Sequence, residues 1–268
     1  MADEMADEKA LTDADASPDH PIIRKIGPAD LWDVLARGID DFKAKPSHVL
    51  LLVILYPIVG LILIRLSAGY DMLPLVFPIL AGFALLGPMA AIGLYELSRR
   101  RESGLDVTWG HAFDVLRSPS IRAIVTLSTV MMAIYFSWLG AALAIYRLFF
   151  GAAEPASIEE FVRQIFTTPA GWGLIIVGCG VGFLFAVVVL AISVVSFPML
   201  IDRDVGAMTA IHTSLRSVIA NPVTMAMWGL IVAASLVVGS RPFLIGLAVV
   251  MPVLGHATWH LYRKVVEY

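Results

Sequence analysis

Residues 164–201, QIFTTPAGWGLIIVGCGVGFLFAVVVLAISVVSFPMLI, contain no aspartate, glutamate, lysine or arginine. A helix needs about 20 residues to cross the hydrocarbon core of a bilayer, at about 1.5 Å per residue. Five further windows without these charges are long enough, so the sequence predicts an all-α polytopic membrane protein with six transmembrane helices. The windows are 46–64, 72–95, 123–146, 164–201, 217–240 and 242–262, and the helices are predicted near 48–66, 73–97, 123–146, 172–200, 223–239 and 243–262.

The composition argues against an ordinary soluble protein. Hydrophobic residues make up 59% of the chain and charged residues 15%, whereas soluble domains have about 25% charged residues. A large soluble helical protein would need charged outer faces on most of the six segments, and the segments lack them. The lipid bilayer is therefore the first expected partner, and no nucleic acid partner is expected.

The first 20 residues form a separate region. Residues 1–20, MADEMADEKALTDADASPDH, hold seven acids and one lysine and lack the apolar run of a signal peptide. This composition predicts a disordered acidic cytoplasmic tail, followed by a six-helix membrane domain over residues 21–268.

Lysine and arginine are distributed unevenly between the two sides of the predicted membrane domain. Of the 19 residues, 15 lie on the side that carries both chain ends, and the other side holds Arg65, Arg147, Arg163 and Arg241. By the positive-inside rule, this distribution predicts a bacterial inner (cytoplasmic) membrane protein with its N- and C-termini in the cytoplasm.

Each predicted transmembrane hairpin follows an amphipathic segment that ends at a proline. Apolar stripes with charged backs are typical of helices that lie in the headgroup region. The pattern predicts three diverged units, each a surface helix and a transmembrane hairpin, with possible repeats over 21–104, 105–204 and 205–268; chance similarity between short hairpins is the alternative. The stripes are Trp32, Leu35, Ile39 and Phe42 before Pro46; Trp109, Phe113 and Leu116 before Pro119; and Met208, Ile211, Leu215 and Val218 before Pro222.

Three stretches of the chain resemble one protein family. They are GLYELSRRRESG at 93–104, NPVTMAMWGL at 221–230 and RPFLIGLAVVMPVLGHATWHLYRKVV at 241–266. From about Pro21 onward the chain resembles the bacterial integral membrane proteins grouped as domain of unknown function 2189. The resemblance implies a multi-pass inner-membrane protein and no assigned activity.

Some relatives in that family carry a label that links them to cytochrome c oxidase subunit I. A haem-copper centre needs imidazoles that converge from several transmembrane helices. The histidines of this chain are His20, His48, His111, His212, His256 and His260, and predicted helices 2 to 5 contain none. The sequence therefore excludes an oxidase catalytic subunit and leaves an accessory role beside such a complex open.

Four polar residues form the candidate site. Each even-numbered predicted helix carries a proline, at 88, 198 and 252; Glu96 and His260 lie eight residues after theirs, and Asp202 and His256 lie four after theirs. If these helices surround a common axis, the four side chains meet at its cytoplasmic end. Two histidines and one or two carboxylates are ligand types for a divalent metal ion, with His256 and His260 as the candidate ligands. The alternatives are proton handling, or polar residues that mark where each helix leaves the lipid, and we expect the latter and no metal.

No paired carboxylates and no Ser-His-Asp or Cys-His arrangement suggest a catalytic site, so neither an enzymatic activity nor a cofactor is expected. Two classes of function fit the pattern. The first is a structural, accessory or assembly protein beside a larger membrane complex. The second is a small pseudo-symmetric transporter or channel with a polar cytoplasmic mouth, which should carry polar groups near mid-membrane.

Overall fold

The structure is a computed structural model that describes residues 21–44, 57, 60, 61, 64, 70–152, 155, 157–241 and 246–268. The chain is mostly helical, as the sequence predicts. The predicted acidic tail at 1–20 and nearly all of the predicted first transmembrane helix at 48–66 lie outside the described residues.

The described residues form eleven α-helices, two 3-10 helices and two short strands. The strands are β1 (Ile22–Ile23) and β2 (Val266–Glu267), and the 3-10 helices are Tyr70–Leu75 and Trp109–Arg117. The α-helices are α1 (Pro28–Ala44), α2 (Val76–Leu85), α3 (Gly87–Ala90), α4 (Ile92–Glu102), α5 (Ile121–Phe150), α6 (Ile158–Thr167), α7 (Pro169–Ser193), α8 (Ser196–Asp202), α9 (Ala207–Ala220), α10 (Pro222–Ser240) and α11 (Leu247–Val265).

Three segments of the described chain are long and apolar enough to cross a bilayer: Ile121–Phe150, Pro169–Asp202 and Pro222–Ser240. They correspond to predicted helices 3, 4 and 5. Pro169 and Pro222 stand in the first turns of α7 and α10, where a missing backbone N–H costs nothing and the fixed φ suits a helix. Few side chains in the most apolar part of each segment are buried inside the protein, as lipid-facing helices require.

The six-span arrangement is not confirmed. Predicted helix 2 (73–97) is broken, because a 3-10 helix, α2, α3 and α4 divide this stretch, with interruptions at Leu86 and Ala91 on either side of Pro88. Predicted helix 6 is described from Gly246 onward, and the C-terminal half of α11 is buried by protein.

The three-unit repeat is not confirmed either. The first and third amphipathic segments are α-helices, whereas the second is a 3-10 helix. The predicted stripes also differ in their surroundings. Trp109, Phe113 and Leu116 are all exposed, but in α1 only Trp32 and Ile39 are exposed, and Leu35 and Phe42 pack against the core.

A close approach between two helices that positions the site is the crossing of α1 and α11. A Cβ atom added to Gly38 would lie 2.8 Å from the Ala257 Cβ atom and 2.7 Å from the Val253 carbonyl oxygen. Real Cβ atoms do not approach so closely, so only glycine lets the two helices meet at this distance. The crossing presses one face of α1 onto the C-terminal half of α11.

The strands join the two ends of the described chain. β1 pairs antiparallel with β2, with Ile22 opposite Glu267 and Ile23 opposite Val266. The Arg24 amide donates to the Val265 carbonyl oxygen (2.8 Å), and the Arg24 guanidinium forms an ion pair with Glu267. Residues 22–24 and 265–267 therefore lie beside each other.

We expect Gly38→Ala to lower the free energy of unfolding by about 2 kcal/mol, because the new methyl group overpacks the α1–α11 crossing. Gly140→Ala in α5 is the matched control, since nothing lies within 4 Å of the position that its Cβ would take. Both changes gain about 1 kcal/mol of intrinsic helix propensity, so their difference isolates the crossing. Melting temperatures in a mild detergent measure the effect, and equal values for the two variants would contradict the close approach.

Candidate functional site

The site lies where α1, α4 and α11 meet. Leu31, Val34, Gly38 and Asp41 follow one another at helical spacing and form the buried face of α1. Three of these residues suit an apolar contact, and the fourth is a carboxylate. The approach of α1 to α11 at Gly38 carries Asp41 into the interior, where its side chain is 6% exposed.

Asp41 is surrounded by hydrogen-bond donors from two other helices. Ser98 Oγ of α4 donates to Asp41 Oδ2 at 2.6 Å, and His260 Nε2 of α11 lies 2.9 Å from the same oxygen. Arg101 of α4 forms an ion pair with Oδ1. His256 Nδ1 lies 2.7 Å from Ser98 Oγ and completes the group. We call Asp41, Ser98, Arg101, His256 and His260 the polar cluster.

The ionised Asp41 is the favoured form. Burial alone would raise the pKa of the carboxyl, but hydrogen bonds from His260 and Ser98, together with the charges of the two imidazoles, lower the pKa from 3.8 to about 2. A carboxyl whose pKa is lowered on folding stabilises the folded state above its unfolded pKa. This contribution, about 2 kcal/mol, is lost as the pH falls from about 4 through about 2.

The count of protons fixes the hydrogen-bond directions inside the cluster. Ser98 has one hydroxyl hydrogen and uses it in the hydrogen bond to Asp41, so Ser98 Oγ accepts a hydrogen bond from the Nδ1–H group of His256. In a neutral His256 the other nitrogen, Nε2, then carries a lone pair. Nε2 is buried and has no hydrogen-bond partner among the described residues. The chain Asp41–Ser98–His256 therefore links a carboxylate to an unoccupied imidazole nitrogen.

The four residues predicted as a site have different partners. His256 and His260 both face Asp41, which the sequence analysis did not select. Glu96 is buried and accepts two hydrogen bonds of 2.8 Å from the guanidinium of Arg99 on its own helix. Asp202 accepts from Tyr262 Oη at 2.8 Å and from Arg263 at 3.3 Å. No group of three or more His, Cys, Asp or Glu side chains in the described ranges is arranged to hold a metal ion.

Other polar bonds fix the end of α11 to its neighbours. Trp259 Nε1 donates to Glu102 at 2.9 Å, and Lys264 Nζ donates to Asp30 at 2.9 Å. These contacts join α11 to α4 and to α1, the same two helices that it contacts in the polar cluster. The polar residues of α11 thus join helices to one another.

Three members of the cluster were missed from the sequence: Asp41, Ser98 and Arg101. A signal for Asp41 was present, because it lies ten residues after Leu31 and seven after Val34, on the apolar face of α1. An acid on such a face needs a buried partner. Ser98 and Arg101 gave no comparable signal, since serine and arginine near a helix end are ordinary surface residues.

Part of the chain matches a known protein family. Residues 76–202 match the family described as predicted integral membrane protein, domain of unknown function 2189. The resemblance is confirmed over this range. The matched range includes two of the three candidate spans and contributes Ser98 and Arg101 to the cluster, while Asp41, His256 and His260 lie outside it. No curated protein matches the chain, and no solved structure matches it.

We expect Asp41→Asn to destabilise the protein by about 3 kcal/mol, because the change leaves Arg101 and His260 without the carboxylate that they bind. Asp33→Asn is the control on the same helix: Asp33 is 44% exposed and pairs with Arg37 and Lys264, so its loss should cost less than about 1 kcal/mol.

Thermal unfolding in detergent between pH 2 and pH 7 measures both variants. The wild-type chain should lose stability as the pH falls below about 4, and Asp41→Asn should lack the part of that loss that comes from Asp41. If the two variants unfold alike, the cluster does not hold α1 in place.

Proposed function

We propose that this protein is a non-enzymatic accessory protein of the bacterial inner membrane, with a structural or assembly role beside a larger membrane complex. The observation that supports the proposal is that its buried carboxylates are already saturated by side chains of the protein itself. Asp41 has three donors, from Ser98, Arg101 and His260, and Glu96 has both oxygens on Arg99. Carboxylates bound in this way stabilise the arrangement of helices.

We infer that the chain crosses the membrane six times and has both ends in the cytoplasm. The β1–β2 pairing supports the second part, because it keeps residues 22–23 and 266–267 on one side. Two points on the same side are joined by an even number of crossings. Three candidate spans are described between them, so at least one more crossing is needed, and α2, α11 and the predicted helix at 48–66 are the apolar stretches left for it. The unequal distribution of lysine and arginine supports the cytoplasmic side, and the proline-ended segments support three diverged units.

Single cysteines test the proposed orientation. Cys179 is the lone cysteine, so Cys179→Ala provides a cysteine-free background. On this background we expect Ala36→Cys in α1 to react with a membrane-impermeant maleimide only after the cells are opened. Glu159→Cys in α6 should react in intact cells, because three of the six proposed crossings lie between α1 and α6. Both positions are exposed, so failure to react reports location and not burial. Labelling of Ala36→Cys in intact cells would refute the orientation.

A small transporter or channel is the second candidate. It is favoured by the His256 Nε2 atom, which is buried without a partner at the end of a hydrogen-bonded chain that begins at Asp41. A chain of this kind can pass a proton from one end to the other. The helix interruption next to Pro88 also resembles the broken helices that transporters use.

Purification of a tagged chain in two mild detergents, followed by mass spectrometry, separates the two candidates. An accessory protein should bring a membrane protein with it in stoichiometric amount in both detergents, and tagging that partner should recover this chain. An unrelated tagged membrane protein is the control. A chain that purifies alone, and that makes reconstituted vesicles permeable to protons in a manner abolished by His256→Ala, would favour transport and refute the accessory role.

A further inference from the structure

A groove of about 600 Å³ lies between β1 and the last turn of α9. Its walls combine apolar side chains with one cation, Arg216. The lining residues are Pro21, Ile22, Ile23, Arg216, Ile219 and Ala220. None of them belongs to the polar cluster, so the groove is a separate feature of the molecule.

Asn221 holds the two walls of the groove together. Its Oδ1 accepts from the Ile26 amide at 2.8 Å, and its Nδ2 donates to the Arg24 carbonyl oxygen at 3.0 Å. Thr224 Oγ1 donates to the Ile26 carbonyl oxygen at 2.9 Å. Asn221 and Thr224 are each 5% exposed. These buried bonds fix the segment after β1 against the α9–α10 junction, so the groove exists before any ligand enters.

The length of α10 places the groove at the depth of the lipid headgroups. α10 has 19 residues and starts at Pro222, directly after Asn221. At about 1.5 Å per residue it spans about 28 Å, close to the roughly 30 Å of a bilayer's hydrocarbon core. Because α10 is no longer than the hydrocarbon core is thick, its first residue must lie at the boundary of the hydrocarbon core if the helix is to cross it. Arg216 and Ile219, less than two helical turns earlier, then lie in the headgroup layer. The depth of the groove follows if α10 crosses the membrane, and it does not depend on the proposed accessory role.

The charges around the groove favour an anion. Arg216 is exposed and has no ion-pair partner among the described residues, and the same holds for Lys25, which does not line the groove but follows Ile23 by two residues. Arg24 is neutralised by Glu267. The apolar walls are open as well, since Ile22 is 62% exposed and Ile219 is 76% exposed. A ligand that satisfies both surfaces carries a negative charge next to a hydrocarbon portion.

We propose that this groove binds the headgroup of an anionic phospholipid. Arg216 binds the phosphate, for which a guanidinium offers two parallel N–H donors. Ile22 and Ile219 contact the glycerol and the first acyl carbons. Lys25 adds a second positive charge, which selects lipids of net negative charge over zwitterionic lipids that contain the same phosphate.

Native mass spectrometry of the full chain in detergent tests the proposal. Phosphatidylglycerol and phosphatidylcholine with identical acyl chains are titrated separately, and the dissociation constant of the first bound lipid is measured. We expect tighter binding of phosphatidylglycerol, a loss of about fivefold or more in Arg216→Ala, and partial retention in Arg216→Lys. Arg117→Ala is the matched control, because Arg117 is another exposed arginine, at the end of the 3-10 helix Trp109–Arg117 and away from the groove. Arg117→Ala should change the dissociation constant for phosphatidylglycerol less than twofold.

Three results would overturn the proposal. Equal losses in Arg216→Ala and Arg117→Ala would show diffuse attraction to the membrane surface. Equal binding of the two lipids by the wild-type chain would remove the charge selectivity.

The third result concerns residues 1–20, whose acids precede the groove in sequence. If Arg216→Ala lowers the melting temperature without lipid, and deletion of residues 2–20 abolishes that effect, the acidic segment occupies the groove in place of a lipid. Wild-type melting behaviour of Arg216→Ala in lipid-free detergent shows that the variant folds.

Discussion

The close approach of α1 to α11 is the constraint on which the rest of the described structure depends. Gly38 lies against the backbone of α11, and this contact brings Asp41 into the interior of the protein. A buried carboxylate is stable only where donors surround it. His260 of α11 and Ser98 and Arg101 of α4 meet that need. Glycine at position 38 thus permits the approach of α1 to α11 that brings the members of the polar cluster together.

The same contact explains why α11 differs from a lipid-facing helix. From Leu254 to Val265 most of its side chains are buried by α1, α4 and α8, and its polar residues bind those neighbours. The helix therefore serves as the centre of the domain, and β2, which follows it, keeps the early segment Ile22–Ile23 beside it. In the long helices α5, α7 and α10, by contrast, few side chains of the apolar stretches are buried inside the protein.

Some features of the structure could be predicted from the sequence and others could not. The three apolar spans were predicted to within a few residues, because absence of charge over 20 residues has one common explanation. Predicted helix 2 was drawn as one span at 73–97, and the sequence did not place its interruptions at Leu86 and Ala91, because proline is tolerated in transmembrane helices and does not by itself show where a helix ends. The partner of the two histidines was missed because it lies more than 200 residues away in the chain.

Composition and helical periodicity by themselves determined that this is a helical membrane protein and that His256 and His260 share one helical face. Both are local properties, set by hydrophobicity and by 3.6 residues per turn. Only the tertiary structure decided which carboxylate those histidines meet, and that Glu96 and Asp202 have other partners. That choice depends on the angle and distance at which two helices cross, which a glycine permits but does not specify.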